Sequence, residues 1–351
     1  MNKQKSPPRK QTQEQNQEAQ KRAKEIIKKK FQKQVPFYDK YGTHIAVGGF
    51  IALIVIALGN SIFSKTRNPE VTPVIELDFI KYHNQQNLPF KLGPNDHFKG
   101  WMLSEAIDSL KTSFSPKQNL VRCPLSENTN IIPDEYNFRE QFPQCVYKIG
   151  SQGHCAASYA FATAGAISDR ICQATSQKTE LSPQPLIACN QGFSYACQGG
   201  YATTSLEYVK NKGLPETSCI SYNENVENTD CSALQNCHLH RINDQCVVDN
   251  TESIQREILE NGPVIAVLPV YVDFLVYKDG IYEVLEGNSP FKQGQAVKII
   301  GWGTDNERKL NYWIIENSWG ETWGQNGMAK IFSNQPLLGL DNQALVPILS
   351  I

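Results

Sequence analysis

The chain has 351 residues, 40% of them hydrophobic, and a net charge of −1. Residues 1–44 carry twelve Lys/Arg and four Asp/Glu, a net +8, so residues 45–351 carry −9. A basic tail on an acidic body argues against nucleic acid as a partner and suits a tail that faces the cytosol or anionic lipid. The length is sufficient for a membrane segment and one domain of enzyme size.

An uncharged run long enough to cross a membrane follows the basic tail. We expect residues 1–44 to be a largely disordered basic tail. Ile45–Phe63 is a run of 19 residues without charge, long enough to cross about 28 Å as a helix. A cleaved signal peptide is the rival interpretation, but the preceding region is too long for one. We predict a single transmembrane helix, with the N-terminus on the cytosolic or matrix side.

The cysteines indicate the compartment of the rest of the chain. All ten lie between Cys123 and Cys246, and no paired Cys-x-x-Cys zinc pattern occurs. We therefore expect disulfides in an oxidising compartment, and neither a metal nor a cofactor. No Asn-x-Ser/Thr acceptor is present. Its absence slightly favours the mitochondrial intermembrane space over the secretory lumen or the extracellular space, and all of them remain open.

Residues 70–115 contain the string LDFIKYHNQQNLPFKLGPNDHFKGWMLSEAIDSLKT. It resembles the inhibitory prosegment of cathepsin B, with Phe98, Gly100 and Trp101 as the points of match. The resemblance implies that residues 70–115 lie across the domain's own substrate cleft. Residues 116–131, which contain Pro116 and Pro124, are predicted to be a linker.

Residues 132–351 form the predicted domain. Their start, IPDEYNFR, resembles the first residues of a mature papain-like cysteine peptidase, and the likeness to cathepsin B continues almost to the end. The implied fold is α+β, with a helical left subdomain, a β-barrel-like right subdomain and the cleft between them. The strand candidates of the second half are Val264–Val270, Gly280–Val284, Ala296–Gly301, Tyr312–Glu316 and Met328–Phe332.

The central stretch, from Ser151 to Cys172, reads SQGHCAASYAFATAGAISDRIC. Its apolar residues recur at helical spacing, namely at Ala160, Ala164, Ile167 and Ile171. The stretch resembles the active-site segment of papain-like peptidases, Gln-Gly-x-Cys-Gly-Ser-Cys-Trp-Ala-Phe. The matching residues are Gln152, Gly153, Cys155, Ala160 and Phe161. Ser158 stands at the position of the catalytic cysteine.

The histidine that serves as the general base in this family is replaced as well. The family places its histidine just before Gly-Trp-Gly, where this chain reads QGQAVKIIGWG and has Gln295. The string YWIIENSWG retains the orienting Asn317 and the neighbouring Trp319, and Gln152 corresponds to the oxyanion donor. None of the six histidines lies after residue 240.

These replacements predict lost catalysis. A serine without a base is a poor nucleophile, and a glutamine amide cannot take up and return a proton. By analogy with other hydrolases, the loss reaches ~10⁶-fold. Serine is also a favoured N-cap, so we expect Ser158 to cap its helix or fill space.

By resemblance, Cys145 pairs with Cys172 and Cys155 with Cys197, while Gly199, Gly200 and Trp319 line the cleft. The connectivity of the other cysteines stays open, namely Cys123, Cys189, Cys219, Cys231, Cys237 and Cys246.

We predict a membrane-anchored, inactive cathepsin B-like protein that acts by binding or as a structural module, with a membrane complex as one setting. The alternative is an atypical papain-family endopeptidase that uses Ser158. The expected partners are the bilayer, other proteins and residues 70–115 in the cleft. The sequence identifies neither the partner protein, nor the membrane, nor a substrate.

Overall fold

A computed structural model of the protein describes residues 68–113, 120–124, 130–190, 196–285, 291, 294–333, 338–340 and 343–349. The predicted tail and the predicted span Ile45–Phe63 lie outside these residues. Within the described ranges, no helix combines the length and the apolar character needed to cross a bilayer.

The described elements form a mixed α+β fold. The helices are α1 (Leu77–Asn84), α2 (Leu103–Asp108), α3 (Phe138–Gln141), α4 (Ser158–Thr175), α5 (Gln184–Ala188), α6 (Ala202–Asn211), α7 (Thr251–Asn261) and α8 (Val272–Leu275). The strands are β1 (Phe90–Leu92), β2 (Thr112–Ser113), β3 (Tyr136–Asn137), β4 (Gly200–Tyr201), β5 (Ile242–Val248), β6 (Val264–Pro269), β7 (Tyr277–Tyr282), β8 (Gly294–Asp305), β9 (Leu310–Glu316), β10 (Met328–Phe332) and β11 (Ala344–Leu349).

The strands belong to one sheet in the order β1-β7-β10-β9-β8-β6-β11-β5, with β2, β3 and β4 off this path. Strand β8 is the longest, and its residues from Gln295 to Gly303 are buried. It pairs antiparallel with β6 on one side and β9 on the other. This central position fixes the side chains of β8 against both its neighbours and the helix that covers it.

Helix α4 is that covering helix. The predicted apolar stripe is confirmed: Ala160, Ala164 and Ile167 are buried in a cluster that also contains Ala296 of β8, and the partly buried Ile171 packs against that cluster. A side chain at Gly165 would come within 3.2 Å of the Lys298 side chain, so a glycine lets the helix approach β8 closely. The first residue of α4 thereby lies over the strand that carries Gln295.

Residues 68–113, which we call the strap, add strands to the sheet at two places. Strand β1 pairs antiparallel with β7, so it extends one edge of the sheet. Strand β2 runs parallel to β4, with Thr112 opposite Gly200, and antiparallel to β8, with Thr112 opposite Gly294. The strap therefore lies between the helical and the strand-rich parts of the chain.

Five disulfides use all ten cysteines. Two of them are the pairs that the resemblance implies, Cys145–Cys172 and Cys155–Cys197. The structure also gives the connectivity that the sequence left open: Cys123–Cys246, Cys189–Cys231 and Cys219–Cys237. Cys123–Cys246 joins the predicted linker to strand β5.

Candidate functional site

Ser158 is fully buried at the first residue of α4. Its Oγ accepts a hydrogen bond from the Ala296 backbone N–H at 3.1 Å and lies 2.7 Å from Oγ1 of Thr112. The prediction that Ser158 caps its helix is wrong. The N-cap position is Ala157, which makes no side-chain cap, and the Ser158 hydroxyl instead joins α4 to β8 and to the strap.

Gln295 is fully buried on β8, next to Ala296. Its Nε2 donates to Gln152 Oε1 and to Asn317 Oδ1, at 2.9 Å each, and lies 3.2 Å from Ser318 Oγ. These four side chains form what we call the amide cluster. The Ser318 hydroxyl also donates to Gln152 Oε1 at 2.7 Å, and the Ser318 N–H donates to Asn317 Oδ1 at 2.8 Å. The cluster is held together by neutral groups.

The Gln152 amide is already engaged. Its Nε2 donates to the backbone oxygen of Cys155 at 2.9 Å and to that of Ser109, in the strap, at 3.0 Å. An amide nitrogen carries two protons, so these two bonds use its donor capacity. The group that the resemblance assigns to oxyanion stabilisation therefore points its protons at carbonyl groups of the chain.

Two orphaned atoms mark the amide cluster. Gln295 Oε1 and Asn317 Nδ2 are buried and have no hydrogen-bond partner among the described residues. A neutral histidine ring at position 295 could accept or donate at either nitrogen, whereas the terminal glutamine nitrogen is a donor only. The cluster thus bonds the Nε2 of Gln295 and leaves its Oε1 without a partner among the described residues.

Two histidines approach the same region without bonding to Ser158. His97 of the strap places Nδ1 3.2 Å from Ser151 Oγ, and its ring stacks on Trp319 with centres 5.9 Å apart. Burial, helped by the nearby His154, lowers the pKa of His97 to about 3. His154 stacks on Trp101 at 3.9 Å. Both rings serve contacts between the strap and the domain.

Trp319 is fully buried beneath strap side chains. Phe98 meets it edge-on at 5.0 Å, and Trp323 packs on it at 4.9 Å. At Gly199 and Gly200, which the resemblance places in the cleft, the strap backbone comes close. Gly200 donates its N–H to Lys111 O at 3.2 Å. A Cβ at Gly199, whose φ is +107°, would lie 2.1 Å from that same oxygen.

A second buried cluster, which we call the charged cluster, lies three residues further along β8. Lys298 Nζ contacts Asp169 Oδ2 of α4 at 2.6 Å and Glu316 Oε1 of β9 at 2.7 Å. Glu316 also accepts from Arg139 of α3 at 2.8 Å. Burial alone would lower the pKa of Lys298, but the two carboxylates outweigh it and raise that pKa, while burial raises the pKa of Asp169. Here every charge has an opposite partner.

The sequence profile described as "Papain family cysteine protease" matches residues 132–348. The chain belongs to this family. Among papain-family relatives, "Cathepsin B-like CP3" of Giardia intestinalis is 28% identical over 285 residues, covering 78% of this chain and 92% of the relative. A "Gut-specific cysteine proteinase" of Caenorhabditis elegans is 31% identical over 240 residues, covering 60% of this chain and 72% of the relative. The human "Tubulointerstitial nephritis antigen-like" protein is 27% identical, and the match covers 64% of it.

Solved structures support the papain fold. The procathepsin B S9 of Trypanosoma congolense superposes with a TM-score of 0.70 at 24% identity, covering 80% of this chain and 99% of the other. The procathepsin L2 of Tenebrio molitor gives a TM-score of 0.64 at 25% identity. The first match covers more residues than the 132–348 range holds, so the likeness in fold extends into the residues that precede the papain-family domain.

The papain-family site contains residues that sequence reasoning missed. Thr112 is the side chain that reaches Ser158, and only the end of the prosegment likeness pointed to its position. The charged cluster was missed entirely. One signal could have found it: Lys298 interrupts the otherwise apolar run Ala296–Gly303, and a buried lysine requires carboxylate partners.

Proposed function

We propose that this papain-family protein is a membrane-anchored, non-catalytic module whose cleft is filled by its own strap. It acts by binding or as a structural part, for example within a membrane complex. The observation that carries the proposal is the hydrogen-bonding of Gln295, whose Nε2 faces three acceptor oxygens in a fully buried cluster.

The surroundings of Ser158 support inactivity on chemical grounds. Peptide hydrolysis by this family needs a nucleophile that loses its proton and a base that holds it and returns it to the leaving amine. Ser158 has two hydrogen-bond partners in the described structure, a backbone N–H and the Thr112 hydroxyl. Neither takes up a proton at neutral pH.

The contacts of the strap support a closed cleft. The strap adds β1 to one sheet edge and β2 between β4 and β8. It buries Phe98 completely and Trp101 almost completely. Burying two aromatic side chains stabilises the docked state by about 2–3 kcal/mol each before ordering costs. The strap thus has a structural reason to stay that is independent of inhibition.

The anchor rests on the sequence outside the described residues. The uncharged run Ile45–Phe63 follows a tail with a net charge of +8. By the positive-inside rule, the domain would lie across the membrane from the tail. The five disulfides indicate an oxidising compartment for the domain, as this topology requires.

Active-site probes test the absence of catalysis. The full-length protein, extracted from native membrane, is treated with serine-directed fluorophosphonate and thiol-directed epoxide probes. We expect no labelling above that of Ser158→Ala. Labelling that depends on Ser158 would refute the proposal and favour the atypical endopeptidase.

Protease protection tests the anchor. In sealed vesicles or mitoplasts, we expect the tail and the domain to be cut from opposite sides of the membrane. If the tail and the domain were both protected from protease added on the same side of the membrane, a single-pass topology would be excluded. Extraction in mild detergent then tests whether the protein is part of a complex. We expect it in a stoichiometric complex, and a purely monomeric chain would count against the structural role.

A further inference from the structure

Residues 121–123, which we call the clasp, extend the sheet at the edge opposite to β1. They lie parallel to β5, the last strand in the sheet order. Val247 donates its N–H to Val121 O at 3.0 Å, and Cys123 donates its N–H to Val247 O at 2.9 Å. Arg122 forms an ion pair with Asp249 at 2.6 Å. A segment predicted to be a plain linker is thus bound to the domain by backbone hydrogen bonds.

The clasp is also bound covalently. Cys123 forms a disulfide with Cys246 of β5, across a sequence separation of 123 residues. The other four disulfides each join two residues within the range that matches the papain family. Cys123–Cys246 therefore ties the residues before the domain to the domain itself.

The peptide bond between Asn130 and Ile131, just before the domain, is exposed to proteases. Ile131 is 94% exposed, and its neighbour Asn130 is exposed as well. Exposed connections outside regular structure are the preferred sites of proteolytic nicking. Hydrolysis of the Asn130–Ile131 bond by an external peptidase adds one water, leaving a carboxylate on Asn130 and an ammonium on Ile131. In an unlinked chain, such a cut would free the strap.

We propose that the Cys123–Cys246 clasp keeps the strap in the cleft after this cut. The product is a two-chain molecule whose domain stays joined to its N-terminal segment and whose cleft stays closed. The inference rests on the proposed filling of the cleft, but it concerns processing and retention and is independent of whether Ser158 can react.

The short distance along the chain makes the retention strong. Strand β2 ends at Ser113 and described structure resumes at Leu120, seven residues on, so the connection reaches at most about 25 Å. Such a tether gives an effective concentration on the order of 1 mM. A strap with a dissociation constant of about 1 μM would then be undocked about 0.1% of the time. Without the disulfide, the same cut strap would be almost wholly dissociated at roughly 10 nM protein.

The test uses the full-length chain with a site-specific protease sequence inserted between Asn130 and Ile131. Hydrogen exchange at the amides of β2 and Gly200 reports strap docking, because Gly200 donates to the strap oxygen of Lys111. After cutting and dilution, we expect the disulfide-intact protein to exchange within twofold of the uncut protein. We expect the cut Cys123→Ser/Cys246→Ser protein to exchange at least tenfold faster.

Two controls separate the clasp from general stability. Cys219→Ser/Cys237→Ser removes a disulfide within the domain, so its cut form should keep the strap docked. The uncut Cys123→Ser/Cys246→Ser protein should keep it docked too.

If that variant does not fold, the disulfide-intact protein still tests the proposal: tenfold faster exchange after cutting would overturn it. So would alkylation of Cys123 and Cys246 in the unreduced native protein. Peptide hydrolysis by the cut, strap-free variant would instead refute the proposed inactivity and leave the clasp standing.

Discussion

Strand β8 carries two buried polar clusters that differ in charge. Gln295 belongs to the amide cluster, where neutral side chains meet each other and the strap. Lys298, three residues on, belongs to the charged cluster, where it is bound by Asp169 and Glu316. The charged cluster joins α4 to the sheet, whereas the amide cluster joins β8 to Asn317 and to Gln152, which precedes α4. By the resemblance, the position of the family's histidine falls in the first cluster, and the second contains none of the positions matched to the family's catalytic residues.

The difference shows which buried polar groups a fold can exchange. Removing a member of a buried ion pair leaves an unpaired charge, so the members of the charged cluster constrain one another. In the amide cluster, Asn317 Oδ1 and Gln152 Oε1 each accept from Ser318 as well as from Gln295. A neutral replacement at position 295 can therefore be accommodated, and on our proposal the reaction could be lost while the fold was kept.

The largest predicted effect is at the charged cluster. Lys298→Met should lower the free energy of unfolding by about 4 kcal/mol, because the buried Asp169 loses its bonded partner. Denaturant unfolding of the domain measures this. The matched control is Lys210→Met, whose ion pair with Asp244 is exposed, and which should cost less than about 1 kcal/mol. Equal effects at the two lysines would show that the charged cluster has no special role.

The second-largest effect is predicted in the strap. Phe98→Ala should destabilise the protein by about 3 kcal/mol, because a fully buried ring that packs on Trp319 is lost. Leu77→Ala, at an exposed position of the same strap, should change stability by less than about 0.5 kcal/mol. Thermal unfolding compares them. If Phe98→Ala were as stable as the parent, the strap would be a loose tether.

A smaller effect should appear as a pH dependence. The pKa of His97 is lowered to about 3 by burial, from an ordinary value of 6.5. As the pH falls, His97 therefore binds a proton in the unfolded chain before it does so in the folded chain. Its contribution to the free energy of unfolding is full above pH 6.5 and is lost as the pH falls toward 3. From pH 7 to pH 5, we expect a loss of about 1–2 kcal/mol. His97→Gln should flatten this slope, whereas His154→Gln should retain most of it. A parent protein whose stability is constant over this range would contradict the assignment.

The smallest predicted effect is at the amide cluster itself. Gln295→Leu removes a donor from acceptors that keep another donor and also removes the unpartnered Oε1. We expect less than about 1 kcal/mol of destabilisation. A loss as large as that of Lys298→Met, measured in the same unfolding series, would show that the amide cluster is as constrained as the charged one.

Much of the fold followed from local sequence, and the errors have physical causes. The predicted strand Met328–Phe332 matches β10 at both ends. Strand β7 begins three residues before the predicted Gly280, because that glycine marks a close approach to the Pro89 carbonyl of the strap and no strand boundary. Strands β5 and β11 were missed, since β5 is interrupted by the polar residues Asn243, Asp244 and Gln245 and β11 contains Pro347. Each becomes a strand by pairing with the other.

The site was predictable only in part. The family motif located Gln152, Ser158, Gln295 and Asn317, and the structure brings three of these into one hydrogen-bonded cluster. Their partners were not predictable. Thr112 reaches Ser158 across a separation of 46 residues, and Asp169 reaches Lys298 across 129. No local periodicity encodes such contacts, because they depend on how α4, β8 and the strap pack together.

The most direct measurement of the central claim is peptide hydrolysis by the cut Cys123→Ser/Cys246→Ser chain, from which the strap can leave. Three versions are compared: the parent with Ser158 and Gln295, Ser158→Cys, and Ser158→Cys with Gln295→His. We expect turnover only in the last, because only it supplies both a thiol and a base beside Asn317 and Gln152. Hydrolysis by the parent that disappears in Ser158→Ala would contradict the claim that this papain-family cleft has lost its chemistry.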